Sequence, residues 1–563
     1  MLGEPLTAEK IEKIFSGAPE KIEDFFSKWN FSNTATMKFD MELSHKNLLG
    51  EKLASFIGTD SLTAVLLETI RLLSRDRNGL EGLLNVDLCN KVLAFAGLQT
   101  GEGVPKNPHV SALMEAQKCL INTMYHSQRM RDVFYATEEN SENLLFYLLE
   151  FSPQNRKTSE HQWIREMHEV QAAEVWFFYH RIGFISTAMS RDFQKKWANE
   201  PKMIDNLLPA VEYIIEKKDF ISQDRERANE ALKTFFNIFC HFHGEVQAID
   251  QKHAIKATRI LRDIICSDRS DDELIMSAVH AVSVPPLPIV LSVWCQDPEK
   301  DAKATAEDDE VVDLFREYDD MKMTEALLSS LDKQLTVAVK MLNNTPHDKV
   351  STEANTLCDL IGPYFQALAR LCVESKHARR YCRIRVIPPL VADEVKKRPE
   401  EHDSLRGRIV RIMMLPSATK DVAAEFLFII CKRSVNRMIK YFGFGHSAGH
   451  LANMGLLGQI NQQKHASDSE DSETEEYNQV RDNVNPVTGA IYPEDHGSAL
   501  AGMSDEQKEY EAMKLVDAMN KMMDAGIVKP GTIGEDGRLR EVSHVLELIK
   551  DAPEPDKDDS DSD

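Results

Sequence analysis

Apolar residues recur with the 3.6-residue period of an α-helix along almost the whole chain, and this spacing limits the possible folds more than any other feature. The i, i+4, i+7 spacing of one buried helical face is seen in Leu66, Ile70 and Leu73 and again in Val422, Phe426 and Ile429. Alternating apolar and polar residues between turn signals, which would mark strands, are scarce. Because a helix with one apolar stripe is marginal alone, the sequence predicts an all-α protein in which successive helices stack on one another.

Short internal similarities indicate that these helices form a repeat array. The segments KCLIN (118–122) and KTFFN (233–237) share the pattern Lys-x-apolar-apolar-Asn near a helix end, and IRLLS (70–74) is a looser copy. In RVIPPL (385–390), prolines end a polar helix and turn the chain, as they do between the helices of armadillo-type units. We therefore predict an armadillo/HEAT-type superhelical array, whose extended groove is usually a peptide-binding surface.

Changes in composition divide the chain into four segments. They are the helical array (1–455), an acidic linker (456–502), C-terminal helices (503–550) and a disordered acidic tail (551–563). The linker contains the run HASDSEDSETEEY, which cannot bury enough apolar surface to fold. Beyond it, Ser504 and Gln507 have the spacing of a capping box, and a second helix is expected over Leu539–Lys550.

The overall charge excludes some classes of partner. The chain has 67 Lys and Arg against 91 Asp and Glu, a net charge of −24. Such a surface repels phosphate backbones, which argues against a general nucleic-acid or anionic-membrane binder.

No signal peptide is expected at the N-terminus, and the richest apolar run, 422–431, is too short to span a membrane and contains Glu425. The nine cysteines lack any CxxC pair and are expected to be reduced thiols of a cytoplasmic protein.

Two motifs of known chemistry occur without the context that they need. The segment GHSAG (445–449) matches the GxSxG nucleophile elbow, but that elbow requires a preceding strand, whereas a helix is expected over 434–441. Gly443 and Gly445 are interpreted as C-cap glycines between two helices. The segment HFH (241–243) has no third ligand at useful spacing for a metal. No phosphate-binding glycine loop is present, so we expect neither cofactor nor metal.

Two charged features stand out from this background. Between residues 376 and 411 there are eleven basic residues against five acidic ones, and Arg71, Arg75 and Arg77 form a second basic group. Such clusters are usually solvated helix faces. Because guanidinium groups bind carboxylates in two-point geometry, they would also suit an acidic partner helix or a terminal carboxylate. In the acidic linker, Ser467 and Ser472 each have Glu three residues later, which is the pattern read by acid-directed protein kinases.

Seven segments together resemble the synembryn family, the resistance-to-inhibitors-of-cholinesterase proteins. They are LLETIRLLSRDR (66–77), KCLIN (118–122), RVIPPL (385–390), VAAEFLFIICKRSVNRMIKYFGFG (422–445), SDSEDSETEEY (467–477), NPVTG (485–489) and MSDEQKEYEAMKLV (503–516). The resemblance implies a cytoplasmic guanine-nucleotide exchange factor and folding chaperone for free heterotrimeric G-protein α subunits (Gα), recruited to the cell cortex. It implies an armadillo/HEAT groove for the C-terminal helix of Gα, no covalent catalysis and a monomer.

The resemblance also assigns roles to individual residues. Its groove contacts correspond to Arg71, Arg75, Asn122, Phe236, Lys376, Arg379 and Arg380. The basic residues would hold acids of the Gα helix, Asn122 its backbone and Phe236 its apolar side. Where the family often has an aromatic residue one turn after Phe236, this chain has Cys240, which predicts a shallower pocket. Ser467 and Ser472 correspond to the phosphorylated pair of the family.

Each of these assignments has a structural alternative. Arg71 and Arg75 could pair with Glu68 and Asp76, and Phe236 could belong to the core. At the level of function, the alternative is an armadillo-type scaffold that binds peptides without driving exchange. An import adaptor would carry repeated Trp-Asn pairs, but the chain has only five tryptophans, none beside Asn122.

Overall fold

The computed structural model describes residues 5–294, 321–459 and 474–492 apart from short gaps, together with short stretches beyond them. The gaps are 60, 102–103, 137–140, 201, 218–219, 241–248, 269, 345–349 and 416, and the later stretches are 504, 506–508, 510, 513–514, 531–533 and 539–541. The described residues are overwhelmingly helical, so the predicted all-α class is confirmed. The chain divides into two compact units, Met1–Phe315 and Arg316–Asp563.

The described helices of the first unit are mostly two to five turns long. They are α1 (Ala8–Phe15), α2 (Pro19–Ser32), α3 (Leu43–Phe56), α4 (Thr63–Leu73), α5 (Leu80–Leu83), α6 (Val86–Phe95), α7 (Val110–His126), α8 (Gln128–Ala136), α9 (Ser141–Leu149), α10 (Gln162–Glu166), α11 (Glu169–Met189), α12 (Arg191–Ala198), α13 (Met203–Glu216), α14 (Ser222–Phe239), α15 (Gln251–Ile265), α16 (Asp272–Ala281) and α17 (Leu287–Trp294). A 3₁₀ turn, Arg156–Thr158, lies between α9 and α10.

Five of these helices pack in sequence order into one layer. Helix α4 packs on α7, α7 on α11, α11 on α14 and α14 on α16. The apolar stripe predicted on α4 is buried, with Leu66 and Ile70 fully inaccessible and Leu73 3% exposed. The layer therefore places the ends of non-consecutive helices beside one another. The predicted contact residues of the first unit lie on α4, directly after it, on α7 and on α14.

A recurring turn joins one helix to the next. Ser127, Ser190 and Ser375 each begin a helix by accepting a hydrogen bond from the backbone amide three residues later. In each case the side chain of the residue four positions after the serine donates to the carbonyl oxygen of the residue three positions before the serine. The donors and carbonyls are Arg131 to Met124 (2.8 Å), Gln194 to Thr187 (2.6 Å) and Arg379 to Cys372 (2.7 Å). This turn satisfies carbonyl groups that the end of a helix leaves unpaired.

The second unit contains longer helices and small hairpins. Its helices are α18 (Lys322–Asn343), α19 (Val350–Glu374), α20 (Lys376–Val386), α21 (Leu405–Met413), α22 (Thr419–Ile430), α23 (Val435–Phe442), α24 (Phe444–Asn453) and α25 (Glu475–Val480), with 3₁₀ turns at Ala392–Val395, Pro399–Glu401, Leu457–Gln459 and Arg481–Asn483. Helix α22 packs against α19, α20 and α21. Its Phe426 is fully buried, as its periodicity predicts, and contacts Phe365 with ring centroids 5.8 Å apart.

Two antiparallel hairpins are present, the first inside the segment assigned to the linker (456–502) and the second beyond it. Strand β1 (Val484–Asn485) pairs with β2 (Ala490–Ile491), and β3 (Gly531–Ile533) pairs with β4 (Leu539–Glu541). The prediction of a helix beginning at Leu539 is therefore wrong. Ile533 pairs with Leu539, so the five residues GEDGR separate the strands. A connection of this length that contains glycine is typical of a hairpin, and strand pairing outweighs the helical spacing that follows.

Two other local predictions have clear outcomes. The capping box is confirmed, because Ser504 Oγ accepts from the Gln507 amide at 3.3 Å and Gln507 Oε1 accepts from the Ser504 amide at 3.2 Å. Gly443 ends α23 with φ 77°, as expected of a C-cap glycine. Gly445, however, lies inside α24 and is not a cap. Within the described part of the chain, no helix is both long and apolar enough to cross a membrane.

Candidate functional site

Arg71 is held between two acidic side chains on neighbouring helices. Its Nη2 lies 3.0 Å from Glu68 Oε1 on its own helix, and its Nε donates to Glu115 Oε2 on α7 at 2.6 Å. Burial opposes the charge, but the hydrogen bond and the charge of Glu115 outweigh it, so the pKa of the guanidinium lies above its usual value. The pairing of Arg71 with Glu68 is confirmed, and Glu115 is a further partner that the sequence analysis missed.

Glu115 belongs to a set of ion pairs that is repeated along the layer, here called the charged ladder. In its first part, Glu115 also contacts Lys118 at 3.1 Å, and Lys118 lies 3.7 Å from Glu174 on α11. In its second part, Arg181 of α11 contacts Glu230 of α14 at 2.8 Å. Lys233 completes this part, with Glu230 and Glu273 both at 3.3 Å. The ladder therefore presents alternating charges across α4, α7, α11, α14 and α16.

Asn122 repeats the position of Asn237 in this layer. The Nδ2 of Asn122 donates to the Arg71 carbonyl and to Ser74 Oγ, both at 3.3 Å. The Nδ2 of Asn237 donates in the same way to the Phe184 carbonyl at 3.3 Å and to Thr187 Oγ1 at 3.1 Å. Among the described residues, nothing donates to the side-chain oxygen of Asn122. One end of this amide thus fixes a helix end, and the other could receive an N–H group of a partner.

Arg75 and Asp76 do not form the pair that was considered from the sequence. Arg75 Nη1 donates to the Thr34 carbonyl at 2.6 Å. Asp76 is buried and accepts instead from Lys46 Nζ and from the Phe39 amide, each at 3.1 Å. Arg75 is half-buried and the nearby Arg77 is exposed. The three arginines of the early repeat therefore differ in environment although they are close in sequence.

Phe236 lies at the edge of the core. Its neighbour Phe235 is 1% exposed, whereas Phe236 is half-buried and contacts His280 of α16 edge-to-face with ring centroids 5.6 Å apart. One turn later, Cys240 is also half-buried, and burial raises the pKa of its thiol to about 11. The exposed edge of Phe236 leaves apolar surface for a partner, and Cys240 adds little to it.

The three candidate residues at the start of α20 divide into one structural residue and two surface charges, which have no ion-pair partner among the described residues. Arg379 Nη1 donates to the Cys372 and Val373 carbonyls at 2.7 and 3.2 Å and so closes the end of α19. Lys376 and Arg380 are exposed and one helical turn apart, so their side chains share a face. These two are the residues best placed to receive an acidic group on this helix.

Most of the remaining basic cluster is engaged within the second unit. Arg385 makes two bonds to the Glu325 carboxylate at 3.0 and 2.7 Å, and Arg408 contacts Asp332 at 2.5 Å. Arg411 donates to the Glu400 carbonyl at 2.6 Å, and Arg406 is 3% exposed. The net positive charge counted in the sequence therefore overstates the charge that a partner would meet.

The serine of GHSAG has no geometry for catalysis. Ser447 is fully buried inside α24, and its Oγ donates to the Gly443 carbonyl at 2.9 Å. The amides of Phe444 and Gly445, which begin that helix, donate to the carbonyls of Pro486 and Val487 at 2.7 and 2.9 Å. The structure supports the interpretation as a junction between helices and argues against a nucleophile elbow, which must expose its serine.

The other candidate positions fall partly outside the described residues. Ser467, Ser472 and the segment HFH (241–243) lie there. The prediction that the acidic run cannot fold is wrong for its last residues, because Thr474 caps α25 and Tyr477 is buried. Thr474 Oγ1 donates to the Leu390 carbonyl at 2.5 Å, and Lys440 Nζ lies 4.8 Å from the ring centroid of Tyr477. Across the described part of the chain, no three His, Cys, Asp or Glu side chains are grouped as a metal would require.

Two signals in the sequence could have revealed the missed residues. Glu115, Lys118 and Asn122 on α7 have the same spacing as Glu230, Lys233 and Asn237 on α14. The Lys and Asn of this pattern were recognised, but the preceding Glu was not. The second signal is a serine followed four residues later by Arg or Gln, which marks the recurring turn.

The fold defines a class: an all-α protein in which successive helices pack on one another in a recurring order. A family model described as guanine nucleotide exchange factor synembryn matches residues 66–538. The chain therefore belongs to the synembryn family.

Individual relatives agree with this assignment over their full lengths. The chain is 65% identical over 560 residues to a protein named chaperone ric-8 of Caenorhabditis elegans, covering 98% of both chains. It is 63% identical over 569 residues to the chaperone ric-8 of Caenorhabditis briggsae, covering all of both chains. It is 30% identical over 586 residues to the chaperone Ric-8A of Danio rerio, again covering 98% of each.

Proposed function

We propose that this protein is a guanine-nucleotide exchange factor and folding chaperone for free Gα subunits. The observation that supports this most directly is the match to the synembryn family over residues 66–538, which includes all the candidate contact residues. The names of the relatives, which describe chaperones, agree with the second activity. We propose further that the helices form an armadillo/HEAT-type array whose concave groove takes the C-terminal helix of Gα.

Exchange of this kind needs no covalent chemistry. The protein must bind the nucleotide-free form of Gα more tightly than the GDP-bound form, and a ligand shifts an equilibrium only by such differential affinity. About 5.5 kcal/mol of it carries a two-state equilibrium from 1:99 to 99:1. Holding the C-terminal helix of Gα away from its own sheet would loosen the loop around the guanine ring, and GTP binding would then restore the fold and release the partner.

The contacts of the first unit give each proposed residue a physical role. Arg71 is already paired with Glu68 and Glu115, so an acid of the partner would exchange places with one of them. Asn122 would receive a backbone N–H, and the exposed edge of Phe236 would pack on the apolar side of the helix. Arg75 would add a second guanidinium, which suits bidentate binding of a carboxylate.

In the second unit, Lys376 and Arg380 would receive acidic groups of the same partner, whereas Arg379 would act mainly by holding the end of α19. We assign the array to residues 1–455, the phosphorylatable linker to 456–502, the C-terminal helices to 503–550, shortened by the β3–β4 hairpin, and an acidic tail to 551–563. The protein would act as a cytoplasmic monomer, recruited to the cell cortex.

Phosphorylation of Ser467 and Ser472 by an acid-directed kinase would regulate the activity. Each phosphate adds about −1.5 to −2 charge and three strong acceptor oxygens. We propose that it binds basic residues near the end of the array and positions the C-terminal helices. GDP release from Gα should then be slower with the variant Ser467→Ala/Ser472→Ala than with the phosphorylated protein. Equal rates of GDP release with the two proteins would contradict this role.

The decisive experiment measures GDP release from purified Gα of each class, with and without the protein. We expect faster release and tighter binding to nucleotide-free than to GDP-loaded Gα, and equal affinity for the two forms would contradict the proposal.

Arg75→Ala should weaken binding of a Gα C-terminal peptide at least tenfold, or about 1.4 kcal/mol. Arg77→Ala removes an exposed charge of the same segment and is the matched control. Peptide binding without any effect on GDP release would favour the armadillo-type scaffold instead.

A further inference from the structure

A cavity of about 330 Å³ lies in the first unit and is lined by residues that are not part of the charged ladder. It is bounded by the end of α9 and the loop after it, by α11, by the first half of α13 and by α14. Its wall includes two polar side chains that are almost completely buried, Arg227 at 1% exposure and His180 at 3%. A cavity of this volume is at the lower end of the range for small-molecule sites in proteins.

The polar groups around this cavity have unused hydrogen-bonding capacity. Arg227 Nε, His180 Nδ1 and Asp224 Oδ1 are buried, and no described residue forms a hydrogen bond with them. The nearest carboxylate to the guanidinium is Asp224, 3.4 Å from Nη2, and Gln154 Oε1 lies 3.5 Å from both Nη1 and Nη2, at the limit of a hydrogen bond. Buried polar groups are normally paired, so several unpaired groups beside one cavity require an explanation.

The charges around the cavity leave Arg227 without full compensation. At the rim, Glu150 is 3.9 Å from Lys202, and Asp205 is 3.3 Å from His253, so both acids already have basic neighbours. Inside, burial raises the pKa of Asp224 and so disfavours its charged form. Burial and the charge of Arg227 lower the pKa of His180 to about 3, which leaves a neutral ring with one N–H to donate.

We propose that this cavity binds a small oxyanion, a carboxylate or phosphate group, between Arg227 and His180. A guanidinium presents its donors in a fork that matches two oxygens of such a group, and the imidazole supplies a further donor. The negative charge of the ligand would offset the positive charge of Arg227, which Asp224 compensates only in part. The limited volume restricts the ligand to a molecule of a few heavy atoms around the oxyanion.

The test is isothermal titration of the full chain with sodium malonate and, separately, with inorganic phosphate, at constant ionic strength set by sodium chloride. We expect saturable one-to-one binding of at least one anion, and the tighter of the two distinguishes a carboxylate from a phosphate ligand. The variant Arg227→Met/Asp224→Asn removes both buried charges together and should weaken binding at least tenfold. Arg225→Met/Asp271→Asn removes a half-exposed pair, 2.9 Å apart, that joins α14 to the N-cap of α16, and it should leave binding unchanged.

Two results would overturn the proposal: no saturable binding of either anion, or equal binding by the wild type and the Arg227→Met/Asp224→Asn variant. If that variant does not fold, the ring resonances of His180 in the wild-type chain provide the second measurement, with His180→Gln used to assign them. A saturable shift of these resonances with the anion is expected. Their constancy during the titration would mean that the cavity holds only water.

Discussion

Arg379 Nη1 donates to the carbonyl oxygen of Cys372 at 2.7 Å, so a residue predicted to contact a partner also closes the end of a helix. In the first unit, Arg131, a residue for which no partner contact is proposed, makes the same bond to Met124 at 2.8 Å. The repetition shows that the fold itself requires an arginine or glutamine at this position. The structural contribution of Arg379 must therefore be measured before any effect on binding is interpreted.

The first prediction separates these two contributions. Arg379→Ala should lower the free energy of unfolding by about 2 kcal/mol, because it removes charge-assisted hydrogen bonds to two carbonyls at a helix end. Arg380→Ala, one residue later, removes an exposed charge and should change stability by less than about 0.5 kcal/mol. Urea unfolding of both variants provides the measurement. Equal stabilities would contradict a structural role for Arg379.

A buried ion pair near the start of the layer gives the second prediction. Lys46 Nζ contacts Asp76 at 3.1 Å and the Asn78 carbonyl, with side-chain exposures of 5% and 9% for the pair. Lys46→Met should cost about 3–5 kcal/mol, because it leaves the carboxylate buried without its partner. Lys46→Met/Asp76→Asn should recover part of this loss, since no charge is then stranded. Thermal unfolding should show the order wild type, double variant, single variant; a single variant as stable as the double variant would exclude the stranded charge as the cause.

The pH dependence of stability gives the third prediction. Because burial lowers the pKa of His180 from about 6.5 to about 3, the unfolded chain binds the proton more readily between these values. The stabilisation from keeping the ring neutral is fully present above pH 6.5 and is lost as the pH falls towards 3. At pH 5 the loss is about 2 kcal/mol. For Asp76, burial raises the pKa, but the hydrogen bonds from the Phe39 amide and Lys46 outweigh burial, so the pKa lies below its usual value. The stabilising contribution of this carboxylate is therefore present above the pKa that it has in the unfolded chain, and it is lost as the pH falls through the lower pKa of the folded chain.

His180→Gln isolates this effect. The difference in the free energy of unfolding between pH 7 and pH 5 should be smaller in the variant by about 2 kcal/mol. His109→Gln replaces an exposed histidine that hydrogen-bonds Ser111 and is the control for the exchange of His for Gln itself. Parallel pH profiles for the His180→Gln variant and the wild type would show that His180 is not the titrating group.

The sequence was sufficient for features that depend on local periodicity. The buried faces around Leu66 and Phe426, the cap at Gly443 and the box at Ser504 all follow from spacing within one or two turns. The β4 strand at Leu539 was missed because a helical pattern and a hairpin turn compete over a few residues, and strand pairing decides between them.

Pairing between distant residues could not be read from the sequence. Arg71 has Glu68 one turn away, which spacing predicts, but its contact with Glu115 depends on how α4 packs on α7. In the basic cluster, Arg385 and Arg408 look free in sequence because Glu325 and Asp332, which bind them, precede them by many residues. Counts of local charge therefore predicted a larger basic surface than the structure has.

The equivalent amides of Asn122 and Asn237 provide the last prediction. Each donates to a carbonyl and to a hydroxyl at the end of the preceding helix of the layer. Asn122→Ala and Asn237→Ala should therefore lower stability by similar amounts, about 1 kcal/mol each. If the Asn122 oxygen also receives an N–H of the Gα helix, Asn122→Ala should in addition weaken binding of a Gα C-terminal peptide about fivefold or more, whereas Asn237→Ala serves as the control of equal stability. Fluorescence anisotropy with labelled peptide measures this difference, and an unchanged affinity of the Asn122→Ala variant would restrict the amide to its role inside the fold.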